Sequence, residues 1–497
     1  MEHSPERELK LDATSEFRMP SIFGLVGPIV RQAPPERNET TYYDTADLRL
    51  ARWGASLRHR PSEGWTVKLP AERDAPYLVR PEIVFEGNGD RPPAPAIELV
   101  RGFARGEELH ESVRMTTVRR RTELHAADGQ LIAGVVDDAV SVQNGTHAKS
   151  GFRELEVEIG EEVTPSLLDA LVERLRQAGA GASDQTAKYI RALAPDVALA
   201  PEIAVAELAA DASAGEVVQR ALALSVIRLI RHDPVVRLDL DPEGVHQARV
   251  ATRRLRSDLR TFRPLLDREW STALRDELGW IARALGEVRD GDVLLARLLE
   301  GTTELPEPLR EAAAQTLATL QESRDAAFVV LLDALRSERY ADLLDRLVEA
   351  ARVPALRERA GRPAADEIPQ LVRRPWHKLE KRTAQLPEDP TDSQLHEVRI
   401  RAKRVRYAAD AAAPVSAKPA RALAHAAARL QDVLGDLNDA VVASGWLETQ
   451  AEQADSRDAA EAAEALAKLE RAAAAEQREH WRAAWEELAD PKLRAWM

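Results

Sequence analysis

Up to about residue 160 apolar and polar positions alternate, the period of a half-buried strand. The runs include Glu6-Arg7-Glu8-Leu9-Lys10-Leu11, Ser56-Leu57-Arg58-His59-Arg60, Trp65-Thr66-Val67-Lys68-Leu69, Arg119-Arg120-Arg121-Thr122-Glu123-Leu124 and Arg153-Glu154-Leu155-Glu156-Val157-Glu158-Ile159. Turn residues separate them: Pro61-Ser62-Glu63-Gly64, Gly87-Asn88-Gly89-Asp90 and Asp128-Gly129. Pro93 and Pro95 frame a loop before a short helix within 96–110, and Leu167, Leu168, Leu171 and Leu175 share one helix face within 164–193. The Pro-containing stretch from Ala194 to Glu202 reads as a linker. Beyond it the period becomes that of helices, interrupted by prolines such as Pro234, Pro264, Pro369, Pro375 and Pro414, which are read as breaks between antiparallel helices. The last helix, about 450–485, is rich in Ala, Glu and Arg, with its charges on a solvated face. The pattern predicts an α+β multidomain chain: an antiparallel β unit over 1–195, a linker over 196–212, and an all-α unit over 213–497.

The 497 residues carry 69 Lys+Arg and 83 Asp+Glu, a net charge of −14, with 44% hydrophobic and 31% charged residues. At roughly 100–200 residues per domain this is two to four domains with real cores. No apolar run approaches the ~18–20 residues that cross a bilayer, and the first twenty residues lack the apolar centre of a signal peptide. The expected location is the cytoplasm, with no membrane partner. The absence of Cys excludes disulfides, thiolate catalysis and Cys-ligated zinc.

The acidic total hides a local excess of cations in the helical half, where the sequence repeats itself. His246-Gln-Ala-Arg249-Val-Ala-Thr-Arg253-Arg254-Leu-Arg256 is matched by His396-Glu-Val-Arg399-Ile-Arg-Ala-Lys403-Arg404-Val-Arg406, at an offset of 150. Leu285-Gly286-Glu287-Val288-Arg289-Asp290 is matched by Leu434-Gly435-Asp436-Leu437-Asn438-Asp439 at 149. Two bundles related by a pseudo-two-fold follow, with units near 213–350 and 365–497. His246, Arg249, Arg253, Arg256 and Arg260 recur at +3 and +4, one helix face; the second unit has Asp410 where Arg260 would repeat. Six Arg and one Asp lie within 246–263. Like charges at this spacing destabilise a helix unless an anion compensates them. Pairing of the arginines with Asp290 and Asp439 is one such compensation. Phosphate is another: the guanidinium fork suits it, and the helix starts at Asp241-Pro242 and Asp392-Ser393 add positive dipole near each His. Nucleic acid is the weaker alternative, because only Phe262 and Tyr407 lie near the stripes to stack bases.

In the alternating half, carboxylate pairs and cation pairs occupy one face of successive strands. One wet sheet face explains that, and so does a sheet that curls its charges into a polar interior. Glutamate oxygens there suit Mg²⁺ or Mn²⁺, while Arg and Lys suit phosphate oxygens.

Glu6-x-Glu8-x-Lys10, followed in order by Tyr43-Asp44-Thr45, Ser56–Arg60, Trp65–Pro70, Val136-Asp137-Asp138, Arg153–Glu158 and Ala187-Lys188-Tyr189, resembles the CYTH, or triphosphate tunnel metalloenzyme, domain across residues 6–193. The doubled His-x-x-Arg unit resembles the CHAD domain, an all-helical module associated with inorganic polyphosphate. The chain thus looks like a CYTH–CHAD fusion. The resemblance implies an eight-stranded antiparallel β-tunnel with flanking helices. It implies metal ligands at Glu6, Glu8, Glu154, Glu156 and Glu158, with Asp137 and Asp138 both candidates. Triphosphate contacts would be Arg58, Arg60, Lys68, Arg80, Arg119 and Arg121, with Glu82 as an acidic contact. Val84 stands where a second acid is often found. Lys10 and Lys188 would be catalytic, Lys10 also touching the triphosphate and Lys188 holding a phosphate or the attacking water. In the helical half, polyphosphate would meet His246, Arg249, Arg253, Arg254, Arg256, Arg260, His396, Arg399, Lys403, Arg404 and Arg406.

Two functions compete. One is Mg²⁺- or Mn²⁺-dependent hydrolysis of a triphosphate or polyphosphate, with the helical half concentrating polyphosphate. The other is a polyphosphate-binding protein with weak or no hydrolysis. Nucleic-acid binding ranks below both. Adenylate cyclase activity, also found among CYTH proteins, ranks last because no base-reading pocket is visible.

Overall fold

The computed structural model describes residues 3–22, 29–70, 72–74, 77–87, 89, 91–126, 128–143, 151–160, 163–182, 186–193 and 200–497, with backbone alone for 3–7, 72–74 and 77–80. Two compact units emerge, Met1–Glu202 and Ile203–Met497.

In the first unit the alternating runs form an antiparallel sheet of β1 (His3–Ala13), β2 (Ile29–Gln32), β3 (Glu36–Asp44), β4 (Ser56–Arg60), β5 (Gly64–Lys68), β6 (Glu72–Asp74), β7 (Tyr77–Phe85), β8 (His110–His125), β9 (Leu131–Val142), β10 (Gly151–Ile159) and β11 (Gly181–Ala182). The order runs β11-β1-β10-β9-β8-β3-β4-β5-β7-β6, with β2 beside β8. β1 pairs on two sides: Glu8–Ala13 with β10, and His3–Glu8 with β7, Glu6 lying opposite Arg80. Among the described residues the expected eight strands become eleven. β2, β6 and β11 are two to four residues long, too short to leave an alternation in the sequence.

Among the described residues four helices accompany the sheet: α1 (Arg49–Trp53), α2 (Ala94–Ala104), α3 (Pro165–Gln177) and α4 (Lys188–Leu193). α3 starts where Thr164 accepts a hydrogen bond from Leu167 N, with Pro165 at its first position. It buries Leu168, Leu171 and Leu175 against Leu11, Val135, Leu155 and Val157. The apolar sides of β1, β9 and β10 are thereby covered, and their charged sides are left for the other face. α2 starts at Ala94, two residues ahead of the expected 96–110 and with Pro95 in its first turn rather than in a loop; it ends at Arg105 in the left-handed region (φ 53°) and buries Leu99, Val100 and Phe103.

The second unit is helical: α5 (Ala214–Leu238), α6 (Pro242–Thr261), α7 (Arg268–Thr302), α8 (Glu307–Arg336), α9 (Glu338–Arg352), α10 (Ala364–Ala384), α11 (Asp392–Glu452) and α12 (Arg457–Leu488). α5 and α10, α6 and α11, and α8 and α12 each start 150 residues apart. Ala417 (φ 35°, ψ −113°) breaks α11 where the first repeat separates α6 from α7, so four helices repeat twice. The repeat therefore covers the whole unit except α9. Pro234, Pro369, Pro375 and Pro414 lie inside helices rather than between them. Each removes one ladder bond, a cost that the tertiary burial of these helices offsets. α11 begins at the expected Asp392, capped by Thr391, which forms a capping box with Gln394, whereas Asp241 itself caps α6. The expected solvated face of α12 has a buried opposite side, where Ala462, Leu466 and Ala467 pack on Leu298, Leu320 and Leu447.

Candidate functional site

Among the described residues, charges singled out in the sequence gather in one cavity of the first unit and in two pockets of the second. The charged face of the sheet lines a small cavity of about 60 Å³ with Glu8, Lys10, Ser56, Arg58, Arg60, Lys68, Arg119, Glu156 and, from the start of α4, Lys188 and Tyr189. At its centre Lys188 Nζ lies 2.5 Å from Asp138 Oδ2, 3.2 Å from Glu154 Oε1 and 3.4 Å from Glu156 Oε1. Lys10 Nζ lies 3.2 Å from Glu156 and 3.6 Å from Glu8. Arg119 reaches Asp138 at 2.8 Å and Glu156 at 3.4 Å. Arg58 and Lys68 share Glu82, at 2.9 and 3.0 Å. Arg60 bonds Glu63 at 2.8 Å and Thr40 at 3.0 Å.

These groups settle one another's charge. Burial alone would discharge Lys188, but Glu156, Glu154 and Asp138 hold its ammonium above the ordinary range. Lys10 is raised in the same way against its own burial, by Glu156, Glu8 and Glu154. Burial works against the Glu156 carboxylate too, and Lys188, Lys10 and Arg119 override it, holding the carboxyl well below its usual range. Burial dominates at Glu154, whose carboxyl is raised.

The strand register resolves which aspartate enters. Asp138 faces the cavity, while Asp137 points to the opposite face and bonds Arg153 through both oxygens at 2.7 Å. Asp137 is therefore corrected out of the cavity set. Arg121 and Glu158 pair at 2.9 Å, more exposed than the rest and outside the cavity lining. Glu6 and Arg80 belong to the residues whose side chains lie outside the described set. The reading missed Tyr42, Ser56 and Tyr189. Tyr189 stacks on Tyr42 at 5.0 Å and donates its hydroxyl to Ala55 O at 2.9 Å, tethering the turn of α4 that carries Lys188. Its adjacency to Lys188 was the available signal.

The donor chemistry of Glu8, Asp138, Glu154 and Glu156 suits a hard divalent cation. Their geometry does not: among the described residues no three acidic or imidazole side chains are disposed as a metal shell, and the two lysines sit among the carboxylates instead.

In the helical unit, a cavity of about 410 Å³ is lined by His246, Arg249 and Arg253 of α6, Arg289, Asp290 and Arg297 of α7, and His396, Arg399, Lys403, Asn438 and Asp439 of α11. Both repeats thus deliver His, Arg and Arg or Lys to one space. Arg249 bonds Asp290 at 3.1 Å, and Arg399 lies 4.0 Å from Asp439, so the bland pairing coexists with the lining role. The first repeat's glycine has a physical reason. A Cβ on Gly286 would stand 2.7 Å from Arg249 Nη1, so the absent side chain lets that guanidinium cross the backbone; at Gly435 the Arg399 guanidinium lies 3.5 Å away, an ordinary contact distance. Lys403 is pulled down to about 7 by burial, then by Arg399 and Arg253. His246 is lowered by burial and Arg289, whereas His396 Nδ1 sits 2.5 Å from Asn438 Oδ1.

The stripe read as one face divides along α6, because twenty residues rise about 30 Å and outrun a single cavity. Arg256 lies over Gly279 of α7, outside the cavity lining. Arg254 joins Asp258 at 3.2 Å to Asp410 at 3.1 Å, and Arg406 bonds Gln431 at 3.2 Å. Arg260 and Arg404 belong to a second pocket of about 480 Å³ that also holds Arg263, Arg275, Arg359, Arg374, Lys378 and Arg401. Of this pocket's cations, the sequence reading had identified Arg260 and Arg404; it passed over Arg401, three residues before Arg404, and the pair Arg374 and Lys378 one turn apart on α10, while Arg263, Arg275 and Arg359 come from three further elements.

Comparison with known proteins agrees with this division. The CHAD domain family model matches residues 220–448. Two curated mycobacterial relatives, "Uncharacterized protein MT2285" from Mycobacterium tuberculosis (strain CDC 1551 / Oshkosh) and "Uncharacterized protein Rv2226" from strain ATCC 25618 / H37Rv, are each 30% identical over 471 residues, covering 90% of this chain and 88% of the relative. The solved CHAD domain from the plant Ricinus communis is 29% identical, with a TM-score of 0.47, covering 58% of this chain and 96% of that one. With the cation-lined repeat at 246–442 inside the matched segment, and similarity to the mycobacterial relatives over 90% of the chain, the chain carries a CHAD domain and belongs to the family of those two mycobacterial proteins.

Proposed function

We propose that the helical unit binds inorganic polyphosphate and that the N-terminal cavity hydrolyses a triphosphate, or the end of a longer phosphate chain. The observation that carries the binding reading is the 410 Å³ cavity into which both repeats send His, Arg and Arg or Lys. Guanidinium and ammonium groups crowded at this density favour a ligand that is phosphate and little else. Few aromatic side chains stand near it to stack bases, which supports polyphosphate over nucleic acid.

The hydrolytic reading rests on the resemblance of residues 6–193 to the CYTH domain, together with the pairing of β1 to both β10 and β7, which a tunnel requires. Arg58, Arg60, Lys68 and Arg119 would clamp phosphate oxygens and neutralise charge as the phosphoanhydride breaks. Lys188, tethered through Tyr189, would hold the terminal phosphoryl group or orient the attacking water. The proposal includes a need for Mg²⁺ or Mn²⁺, supported by the donor chemistry of the carboxylates alone. The test is phosphate release from tripolyphosphate, ATP and long-chain polyphosphate, with and without each metal. Release from tripolyphosphate that requires metal supports the enzyme. Tight polyphosphate binding with no release under any condition assigns the chain as a binding protein.

A further inference from the structure

The two repeats are not electrostatically equivalent where they flank the cavity. Arg254 of α6 and Asp410 of α11 are in contact at 3.1 Å. Their images under the 150-residue repeat are Arg404 and Arg260, which face each other as two cations. Burial and then Arg404 push Arg260 down to about 10, while Arg404 itself is lowered by burial and then Arg401 and Arg275. The difference extends along the flank. Arg263, Arg374 and Arg401 line the 480 Å³ pocket, and the residues at their image positions are Ala413, Leu224 and Ala251; Arg275, on the helix where the offset is 149, has Ala424 as its image, and Lys378 keeps a cationic image in Arg228. Leu224 is half exposed, so this flank presents an apolar surface where its counterpart presents a guanidinium. The pocket lining includes no carboxylate, and the buried Nε atoms of Arg275 and Arg401 have no hydrogen-bond partner. Buried donors left open in this way are costly unless an anion completes them.

We propose that the helical unit holds a phosphate chain with a fixed sense, across the histidine-lined cavity and out along the Arg260–Arg404 flank alone, the opposite flank being neutralised by Asp410. The inference rests on the polyphosphate-binding reading and adds the path the chain takes. From Arg249 to Arg260 the helix rises about 16 Å, a span that a tripolyphosphate is too short to bridge. Long chains therefore gain from the second pocket and tripolyphosphate does not.

The test compares two double variants of the full chain, each lowering net charge by two at image positions: Arg263→Ala with Arg374→Ala, and Leu224→Glu with Ala413→Glu. Long-chain inorganic polyphosphate is titrated by calorimetry at several salt concentrations. The arginine pair is expected to weaken binding about ten-fold or more and to flatten the salt dependence, leaving tripolyphosphate affinity within about two-fold of the parent. The Leu224/Ala413 pair is expected to bind long chains within about two-fold of the parent. Equal losses in both doubles overturn the one-sided path while leaving polyphosphate binding intact. A parent chain that fails to bind polyphosphate overturns both. Circular dichroism and melting of each variant show that the helical unit is folded.

Discussion

Lys188 Nζ stands 2.5 Å from Asp138 Oδ2, an ion pair between the first residue of a short helix and the middle of a sheet strand. The same ammonium touches Glu154 and Glu156, so three buried carboxylates depend on one side chain from another element. Removing one partner of a buried pair leaves uncompensated charge, typically a loss of about 3–5 kcal/mol. Lys188→Met is expected to destabilise the N-terminal unit by about that amount and to abolish phosphate release. Urea unfolding followed by tryptophan fluorescence reads the first effect; a loss below about 1 kcal/mol would contradict the central role of Lys188.

Acid should act on the same cluster. Glu156 is held well below its ordinary range, so it binds its proton more readily in the unfolded chain. Its contribution to stability is complete above the usual glutamate range near 4.5 and is lost as pH falls through the depressed folded value. Asp138 acts in the same direction and Glu154 in the opposite one. The N-terminal unit is expected to lose stability below about pH 4, with Glu156→Gln shallower in its acid limb. Hydrogen exchange measured by mass spectrometry separates this unit from the helical one; an unchanged acid limb in the variant would refute the assignment.

The helical unit should trend the other way over part of that range. Asp258 is fully buried, and burial raises its carboxyl from 3.8 to about 7. The folded state therefore keeps this proton while the unfolded chain loses it, and stability declines as pH rises from about 4 to about 7. Asp258→Asn is expected to remove that decline, with Arg254 still bonded to Asp410. Denaturant midpoints for residues 203–497, followed by peptide-resolved exchange at a series of pH values, give the answer. A decline of the same size in Asp258→Asn would place its origin elsewhere.

Lys403 makes ligand binding depend on pH. In the free protein its ammonium titrates near 7, because burial and the neighbouring Arg399 and Arg253 disfavour the charge. A bound phosphate chain stabilises that charge, so binding takes up a proton above pH 7 and affinity falls as pH rises. His246, also lowered, titrates further toward acid. Calorimetry in buffers of different ionisation enthalpy should show proton uptake at pH 8 in the parent chain and little in Lys403→Arg. Equal uptake in both would exclude Lys403 as the source.

Much of this was legible from residue spacing. Period-two runs identified β1, β4, β5, β8 and β10, and the offset of 150 between His246 and His396 announced two similar bundles, whose histidines the fold brings to one cavity. Two kinds of information were not. Strand parity across Asp137-Asp138 could not be read, since both neighbours are acidic; only the register with β8 and β10 turns Asp138 inward. Nor does any local pattern connect Arg263, Arg275, Arg359, Arg374 and Arg401, which come together only when separate elements of the helical unit converge. Pro369 and Pro375 misled for a related reason: propensity marks them as breaks, while the burial of Ile368, Val372 and Trp376 keeps α10 continuous.

Equilibrium titration of the full chain with long-chain polyphosphate, in parallel with the double variant Arg253→Glu/Lys403→Glu, tests the central assignment of the cation-lined cavity most directly. The account predicts tight binding to the parent chain, an affinity that falls steeply with added salt, and a loss of about a hundred-fold in the folded variant. Equal affinity in parent and variant, or binding to the parent that is insensitive to salt, would contradict it.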